Sequence, residues 1–521
     1  MFPCRPFQAG PARESSKASC SRQRDWSKFD NRSGGLRGPP LFLAFWLVCI
    51  SSAPAPSASS TVRRVPELPL LPLSAAACLQ QAGQLRQAEK RAEAAACYRQ
   101  ALRLAPDDLP LCNRVGEAFL ALALPEEAVG CYRRLVARLP QLAEAHACLG
   151  IALRAQGSFP EAEACQRHAL LLQPASASFY GNLGVVLRDQ GRFAEAEAAY
   201  RRALALDPHH TEARWNLAQL QLQLGNFAEG WRNYEARWQL PCAPCRFAEP
   251  LWQGEPLAGR RILLHAEQGL GDNLQFLRFA PLVEARGGRV ILGLPPEQHA
   301  LAAGLVGLRH VEFASSPPQP FDCHSPLMSL PLALETRLES LPASVPYLRV
   351  PRAAQERAAA LPWPERGLRV GLVWSGRPEH PQNRFRALPL ATLQPLFGLE
   401  GVHFFSLQMG SPARELEPWR GCIADLAPHT HAMEDTAAQM LALDLILTVD
   451  TMTAHLAGAL ARPVWLLLAA NHDPRWMTGR DDSPWYPTMR LFRQSRPGDW
   501  PGVVARLRAA LRECPHPAAR F

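Results

Sequence analysis

The stretch Leu441–Leu468, LALDLILTVDTMTAHLAGALARPVWLLL, decides the fold of the C-terminal half. Leu445–Val449 is a short run of apolar β-formers, the pattern of a strand buried on both faces. Asp450, Thr451 and Thr453 follow at once, short polar residues of the kind that open a helix. Thr453–Ala461 reads as a helix of small residues that Pro463 ends, and Val464–Leu468 reads as a second buried strand. Such a strand–helix–strand unit puts a helix N-terminus at the carboxyl edge of a parallel sheet. Open α/β sheets take ligands along that edge, and free backbone N–H groups with the helix dipole suit a phosphate there. The alternative is an ordinary crossover with a capping turn, and spacing alone leaves both open.

The same alternation extends on both sides. Arg261–His265 reads as a strand, followed by a glycine turn, an apolar helix over Leu274–Ala285 and a strand over Arg289–Leu294. A second half starts at Leu368, with strands over Arg369–Trp374 and Val402–Leu407, and a helix over Pro501–Arg512 closes it. Two runs of strand–helix alternation predict two Rossmann-like lobes, residues 259–355 and 356–515, with a cleft between them.

Upstream the period changes. Pro106, Pro140, Pro174 and Pro208 recur every 34 residues, and the interval between them repeats a pattern. Its clearest copy is Tyr180, Leu183, Gly184, Leu187, Gly191, Ala196, Tyr200, Ala203 and Pro208, which fills the tetratricopeptide positions. Small residues at fixed sites let two helices of a pair touch, and large ones fill the seam to the next pair. The expected α-solenoid runs over 73–240, and a Pro-rich linker, 241–258, joins it to the α/β lobes. Asn182 and Asn216 share one repeat position. An amide there either holds an extended peptide by two hydrogen bonds or is simply solvated.

Composition sets limits. At 521 residues, 47% hydrophobic and 20% charged, the chain has ample material for a globular core. Of the net charge of +9, residues 1–74 supply +6, from ten Lys/Arg against four Asp/Glu. The remainder is too diffuse to argue for a nucleic-acid partner. Cys97, Cys131 and Cys165 follow the repeat period, as small packing residues do, and point to a reducing compartment. Cys242-x-x-Cys245 has no second pair to complete a zinc site. Residues 1–72 read as a disordered or targeting-like segment and linker. Within them Leu41–Ile50 is too short to span a bilayer. It is either the apolar core of an export signal or part of an unstructured tail. The expectation is a cytoplasmic protein with no integral membrane segment, exported if Leu41–Ile50 is a signal core.

Several constellations carry chemistry. Gly269-Leu-Gly271-Asp272 follows a strand, but Gln275 and Phe276 stand where a dinucleotide fingerprint needs its third glycine. The turn either aims Asp272 into the cleft as a base or uses it as a helix cap, and Glu267 and His265 are rivals for the base. Ser375 and the Gly376 amide are placed to hydrogen-bond a diphosphate. Arg377, Arg384 and Arg386 share one polar loop. His429 and His431 lack a carboxylate at metal-ligand spacing and read as surface residues.

Asp450-Thr451-x-x-x-His455-Leu456-Ala457 with Ala459-Leu460-x-x-Pro463 resembles the nucleotide-sugar motif of heptosyltransferase-like glycosyltransferases. These are inverting, metal-independent enzymes of the GT-B class. Asp481–Pro487 and Arg490–Gln494 continue the likeness, which spans residues 75–513. It looks closest to bacterial proteins that join tetratricopeptide repeats to such a domain. The resemblance implies Asp272 as the base, and a basic residue at Arg384 or Arg386 against the donor diphosphate. The turn residues imply Thr451 and Thr453 on phosphate, Asp450 fixing the turn, and His455 as either a ligand contact or a packed core residue. Glu434-Asp435-Thr436-Ala437 resembles the family's helix cap near the nucleobase or ribose. Asn383 departs from the pattern, since many relatives carry an acidic residue there.

The implied reaction is sugar transfer from a nucleotide-sugar donor to a hydroxyl acceptor. The donor is a substrate, so neither cofactor nor metal is expected. The repeats would recruit a protein or peptide. A scaffold with a non-catalytic domain and a cell-surface polysaccharide enzyme are the alternatives.

Overall fold

The computed structural model of the protein describes residues 74–514 apart from 89, 241–246, 316–318, 379 and 381–382. The N-terminal segment with Leu41–Ile50 and the Cys242–Cys245 pair lie outside the described residues.

The N-terminal half is a helical tetratricopeptide solenoid. Five helix pairs follow one another: α1 (Ala75–Gln87) and α2 (Arg91–Leu104), α3 (Leu109–Ala121) and α4 (Pro125–Arg138), α5 (Ala143–Gln156) and α6 (Phe159–Leu172), α7 (Ala177–Asp189) and α8 (Phe193–Leu206), α9 (Thr211–Gln223) and α10 (Phe227–Tyr234). The small-residue positions do what the period predicts. A Cβ on Gly184 would lie 2.5 Å from the Tyr200 ring, and one on Gly116 would lie 2.8 Å from Tyr132. The third copy has Gln166 in place of that tyrosine. It fills the same gap against Gly150 and donates to the Ala147 carbonyl at 2.8 Å. The Arg154–Asp189 pair, almost wholly buried, ties α5 to α7 at 2.5 Å. Cys78, Cys97, Cys112 and Cys131 are buried free thiols in the same seams. The fifth pair drifts because α10 ends at Tyr234 and continues as a 3₁₀ segment, Glu235–Gln239.

The C-terminal half holds two all-parallel sheets with helices packed on them. In the first, β1 (Arg261–His265), β2 (Arg289–Gly293), β3 (Glu312–Phe313) and β4 (Cys323–Pro326) are ordered 3-2-1-4. In the second, β5 (Leu368–Val373), β6 (Val402–Ser406), β7 (Ile423–Asp425), β8 (Leu445–Val449), β9 (Val464–Leu468) and β10 (Met489–Arg493) are ordered 7-6-5-8-9-10. Renumbered from its own first strand, this sheet is 3-2-1-4-5-6, the doubly wound order whose switch point lies between its first and fourth strands. The four helices that matter below are α11 (Leu270–Phe276), α12 (Met433–Ala442), α13 (Met452–Ala459) and α14 (Trp500–Glu513).

Two expected helices differ from the sequence reading. The segment read as a helix over Leu274–Ala285 starts at Leu270 and is broken by a 3₁₀ turn, Leu277–Phe279, before a second piece, Ala280–Ala285. Pro281 has no N–H to continue the ladder and fits only in the first turn of that second piece. The helix after β8 stops at Ala459 because Ala461 takes a left-handed φ of 57°.

One apolar core joins all three units. Trp485 lies against Phe227 and Trp231 of α10 and against Phe276 of α11. Arg237, fully buried after α10, pairs with Glu267 beyond β1 at 3.1 Å and donates to Ser329 at 2.6 Å. Repeat array and lobes are therefore packed as one body.

The glycines give a test of the solenoid packing. Gly130 is an exposed interior residue of α4 with nothing within 4 Å of an added Cβ. Gly130→Ala should stabilise the protein by about 0.5–1 kcal/mol, whereas Gly184→Ala should destabilise it by about 1–3 kcal/mol through overpacking against Tyr200. Denaturant titration of both variants measures this. Equal effects would contradict the helix-pair contact.

Candidate functional site

Parallel strands present all their carboxyl ends on one edge, and here the two sheets turn those edges toward a common cleft of about 750 Å³. It is lined by the residues that follow β1 (Gln268–Asp272), β5 (Ser375–Arg377), β6 (Leu407–Met409), β8 (Asp450–Thr453) and β9 (Asn471–Arg475). Arg188 of α7 and Trp215, Gln219 and Gln223 of α9 close one side, so the repeat array forms a wall of the cleft.

The β5 end is built from side-chain braces. Gln408 Oε1 accepts the Trp374 and Ser375 amides at 3.1 and 3.0 Å. Asn383 accepts the Gly376 amide at 2.7 Å and donates to Ser375 Oγ at 3.1 Å. The residue that departs from the family pattern is thus an organising amide, and the Gly376 N–H is already engaged by it. Ser375 lines the cleft but is 7% exposed. A Cβ on Gly376 would lie 2.9 Å from Arg386 Nη2, so glycine here is what lets that guanidinium lie across the turn.

Arg384 and Arg386 separate cleanly. They sit two residues apart on one helical turn, Asn383–Arg386, and are therefore some 200° apart around it. Arg386 lines the cleft, and its Nε is buried with no hydrogen-bond partner among the described residues. Arg384 does not line it. Arg384 is exposed, and its guanidinium stacks 4.5 Å from the Phe385 ring centroid.

At the β8 end, Asp450, Thr451, Met452, Thr453 and His455 all line the cleft where α13 opens. Burial and the neighbouring Asp473 carboxylate hold the Asp450 carboxyl above its ordinary range, against the pull of Arg386 and Arg475. Thr451 approaches Thr448 with its hydroxyl at 3.4 Å. His455 is 4% exposed and packed. Its Nε2 accepts from Arg475 at 3.4 Å, which leaves Nδ1–H to bond Tyr486 Oη at 3.0 Å. Burial and three surrounding arginines keep it neutral.

Asp272 faces this turn from the other lobe. Its Oδ2 accepts the Gly269 amide at 2.9 Å, and its Oδ1 pairs with Arg475 Nη2 at 2.6 Å. Cap and cleft residue are therefore one and the same. The glycines beside it serve contact between lobes: a Cβ on Gly271 would lie 2.8 Å from the His455 ring and 3.2 Å from Met452 Cα. The strained position of the turn is Gln268, at φ 57°.

The two rivals of Asp272 do not line the cleft. His265 is buried against His324 at 3.2 Å, with its pKa pushed down to about 3 by burial. Glu267 is held by Arg237, and burial nonetheless raises its carboxyl to about 7. Asn216 is 2% exposed and also stands off the cleft. Its neighbours Trp215 and Gln219 take the cleft-facing stripe of α9, and Asn216 lies about 100° round the helix from Trp215. Asn182 is half-buried and does not line the cleft either. Asp435 caps α12 through the His431 and Ala432 amides and pairs with Arg357, while Thr436 beside it reaches the cleft. His429 and His431 are exposed.

Sequence reading passes over Gln408, Asp473 and Arg475. The available signal is Asp473-Pro-Arg475, two opposite charges placed just past a buried strand, where the carboxyl edge must lie. Among the described residues no three His, Cys, Asp or Glu side chains gather into a metal-holding group, and no helix is long and apolar enough to cross a membrane.

Comparison with known proteins agrees with the N-terminal half. Tetratricopeptide-repeat family models match residues 141–208 and 187–230. Protein FlbA of Caulobacter vibrioides is 28% identical over 316 residues, covering 54% of this chain and 52% of FlbA. The chain thus spans about half the length of this curated relative. Solved structures with similarity include a thermophilic tetratricopeptide protein of Thermus thermophilus, TTC0263, 26% identical over 32% of this chain and 92% of that one, with a TM-score of 0.28. A tetratricopeptide protein from Parabacteroides merdae is 20% identical over 33% and 67% of the two chains, with a TM-score of 0.30. Such repeats support a protein-interaction role.

Neutral burial of two histidines has a measurable consequence. His265 and His455 are both under 5% exposed with folded pKa values far below the unfolded value of about 6.5. Their stability is full above that value and is lost as the pH falls, because only the unfolded chain takes up the protons. Each should cost about 2 kcal/mol by pH 5. Glu267 and Asp450, with raised carboxyls, act in the opposite sense, so the test compares proteins: from pH 7.5 to 5 the midpoint of the wild type should fall more steeply than that of His455→Gln, and parallel curves would contradict neutral burial.

Proposed function

We propose that the protein is an inverting, metal-independent glycosyltransferase of the GT-B class, using a nucleotide-sugar donor and a hydroxyl acceptor presented from the repeat side. The observation that carries this reading is the shared cleft. It brings Asp272 of one sheet opposite Ser375, Arg386, Thr451 and Thr453 of the other, at the switch point of a 3-2-1-4-5-6 sheet.

The roles follow from charge and position. The donor diphosphate lies between the α13 N-terminus and Arg386, which lines the cleft. The acceptor oxygen attacks the anomeric carbon from the face opposite the diphosphate, the bond to phosphate breaks, and the nucleoside diphosphate departs. Arg386 and the helix dipole offset the charge that grows on it. Asp272 takes the acceptor proton. Each of its oxygens is engaged once, and a carboxylate oxygen has a second lone pair to receive it. Arg475 holds the carboxylate in place. Trp215, Gln219 and Arg188 are the repeat residues against which an acceptor segment would lie.

A second reading is favoured by the same engagement of Asp272. If cap and ion pair are its whole role, the domain is a non-catalytic partner of the repeats, and the protein is a scaffold. The two readings differ in one assay. A panel of nucleotide sugars should raise the melting temperature of the wild type and release nucleoside diphosphate. Asp272→Asn should keep donor binding and lose release by about 100-fold or more. Absence of binding to every donor would leave the scaffold reading standing.

A further inference from the structure

The turn that carries Arg386 touches more than the cleft. Asn383–Arg386 is four residues long, too short to hold its shape by internal hydrogen bonds alone. Its base is fixed to the second lobe. Asn383 braces Ser375 and Gly376, and beyond the turn the Leu388 amide donates to the Trp374 carbonyl at 3.0 Å. Between these two points stand Arg384, Phe385 and Arg386. Phe385 is half-buried and, like Arg386, lines the cleft.

Phe385 is also packed against the apolar core of the early repeats, whose buried members run from Cys78 of α1 to Val186 of α7. Every other described member of that cluster belongs to the repeats, so Phe385 is where the second lobe enters the repeat core. Its neighbour Arg384 lies within electrostatic reach of Arg91 on α2. This contact is separate from those of Trp485 with α10 and of Arg237 with Glu267, which join the lobes to the last repeat. The array therefore meets the lobes at two places along its length. Helix pairs stack only on their nearest neighbours, so any change of curvature between the two contacts is felt at the turn.

Phe385 and Arg386 are consecutive and point about 100° apart around the turn. A ring seated on the repeats thus settles the direction of the guanidinium beside it. The fit leaves little slack, since Arg386 Nη2 lies 2.9 Å from where a Cβ on Gly376 would stand. We infer that Phe385 is a positioning residue for the donor side of the cleft: seated on the repeat core, it holds Arg386 toward the place of the diphosphate, so that the repeats govern donor affinity as well as forming a wall. That Arg386 meets a diphosphate rests on the transferase reading; the seating of Phe385 on the repeats does not.

Titration calorimetry of the full chain with UDP, GDP, ADP and CDP tests this on Phe385→Ala, Phe385→Leu, Arg386→Ala and the double variant Phe385→Ala/Arg386→Ala. Phe385→Ala should weaken binding about fivefold or more, the scale of coupling between residues in contact. Phe385→Leu, still apolar and nearly as large, should stay within about twofold of the wild type. The double variant should bind no more weakly than Arg386→Ala, because the ring acts through the guanidinium. Hydrogen exchange without nucleotide gives a second readout. The Ala387 and Leu388 amides, bonded to the Asn383 and Trp374 carbonyls, should exchange faster in Phe385→Ala by about tenfold. If Phe385→Ala does not fold, Phe385→Val takes its place with the same outcomes. Wild-type affinity in Phe385→Ala, losses that add in full in the double variant, or unchanged exchange would each overturn the inference. Absence of binding of every nucleoside diphosphate to the wild type would instead sink the transferase reading, and with it the donor role. Faster exchange would then leave Phe385 as an anchor between repeats and lobe, and unchanged exchange would remove that as well.

Discussion

Arg475 is the residue on which the arrangement of the cleft depends. It rises from the loop after β9, pairs with Asp473 beside it, and crosses to the other lobe to hold Asp272 at 2.6 Å and Gln275 at 2.6 Å. On the way it fixes the tautomer of His455, and through it the Tyr486 hydroxyl. A guanidinium is suited to this because its donors form a rigid, always-charged fork. Removing it would leave Asp272 and Asp473 without their shared cation, and would take an arginine from Asp450, whose carboxyl is already pushed upward by burial and by Asp473. The clasp sets the distance between the two sheet edges. That distance decides whether a residue of one lobe can act on a ligand held by the other.

Packing reinforces the clasp. Gly271 lets α11 press on the start of α13, and Gly458 makes room for Tyr486 on the same helix, with an added Cβ 2.4 Å from its ring. Arg278 lies 4.5 Å from the Tyr486 ring centroid and 4.6 Å from that of Tyr347, and donates to the Trp485 carbonyl. The aromatic cluster around Trp485 then carries this contact into α10, and Arg237 carries it again through Glu267. Small residues and buried cations thus weld repeats and lobes into one body, and a repeat helix becomes a wall of the cleft.

Much of this is legible in the sequence because it depends on local period. The 34-residue spacing gives the helix pairs, and buried apolar runs give β1, β5, β8 and β9 to within a residue at their ends. What is not legible depends on chain segments far apart. The polar strand Cys323–Pro326 shows no β pattern, yet it is buried beside β1. The Asp272–Arg475 pair joins residues 203 apart. The choice between Arg384 and Arg386 turns on which side of a single helical turn faces the cleft. Asn216 stands out by its repeat position, while its burial is set by the lobes that pack against α9. The glycines of Gly269–Gly271 read as freeing a turn, and the structure uses Gly271 for contact with the opposite lobe.

The proposed function requires that the cleft hold a diphosphate against Arg386 and the start of α13. Titration calorimetry with nucleoside diphosphates, on the wild type, Arg386→Ala and Arg384→Ala, tests it most directly. Nucleoside diphosphates should bind the wild type and Arg384→Ala alike, with a loss of about ten- to a hundredfold for Arg386→Ala, the worth of a hydrogen bond to a charged group. Equal affinities for all three proteins, or a loss confined to Arg384→Ala, would contradict it.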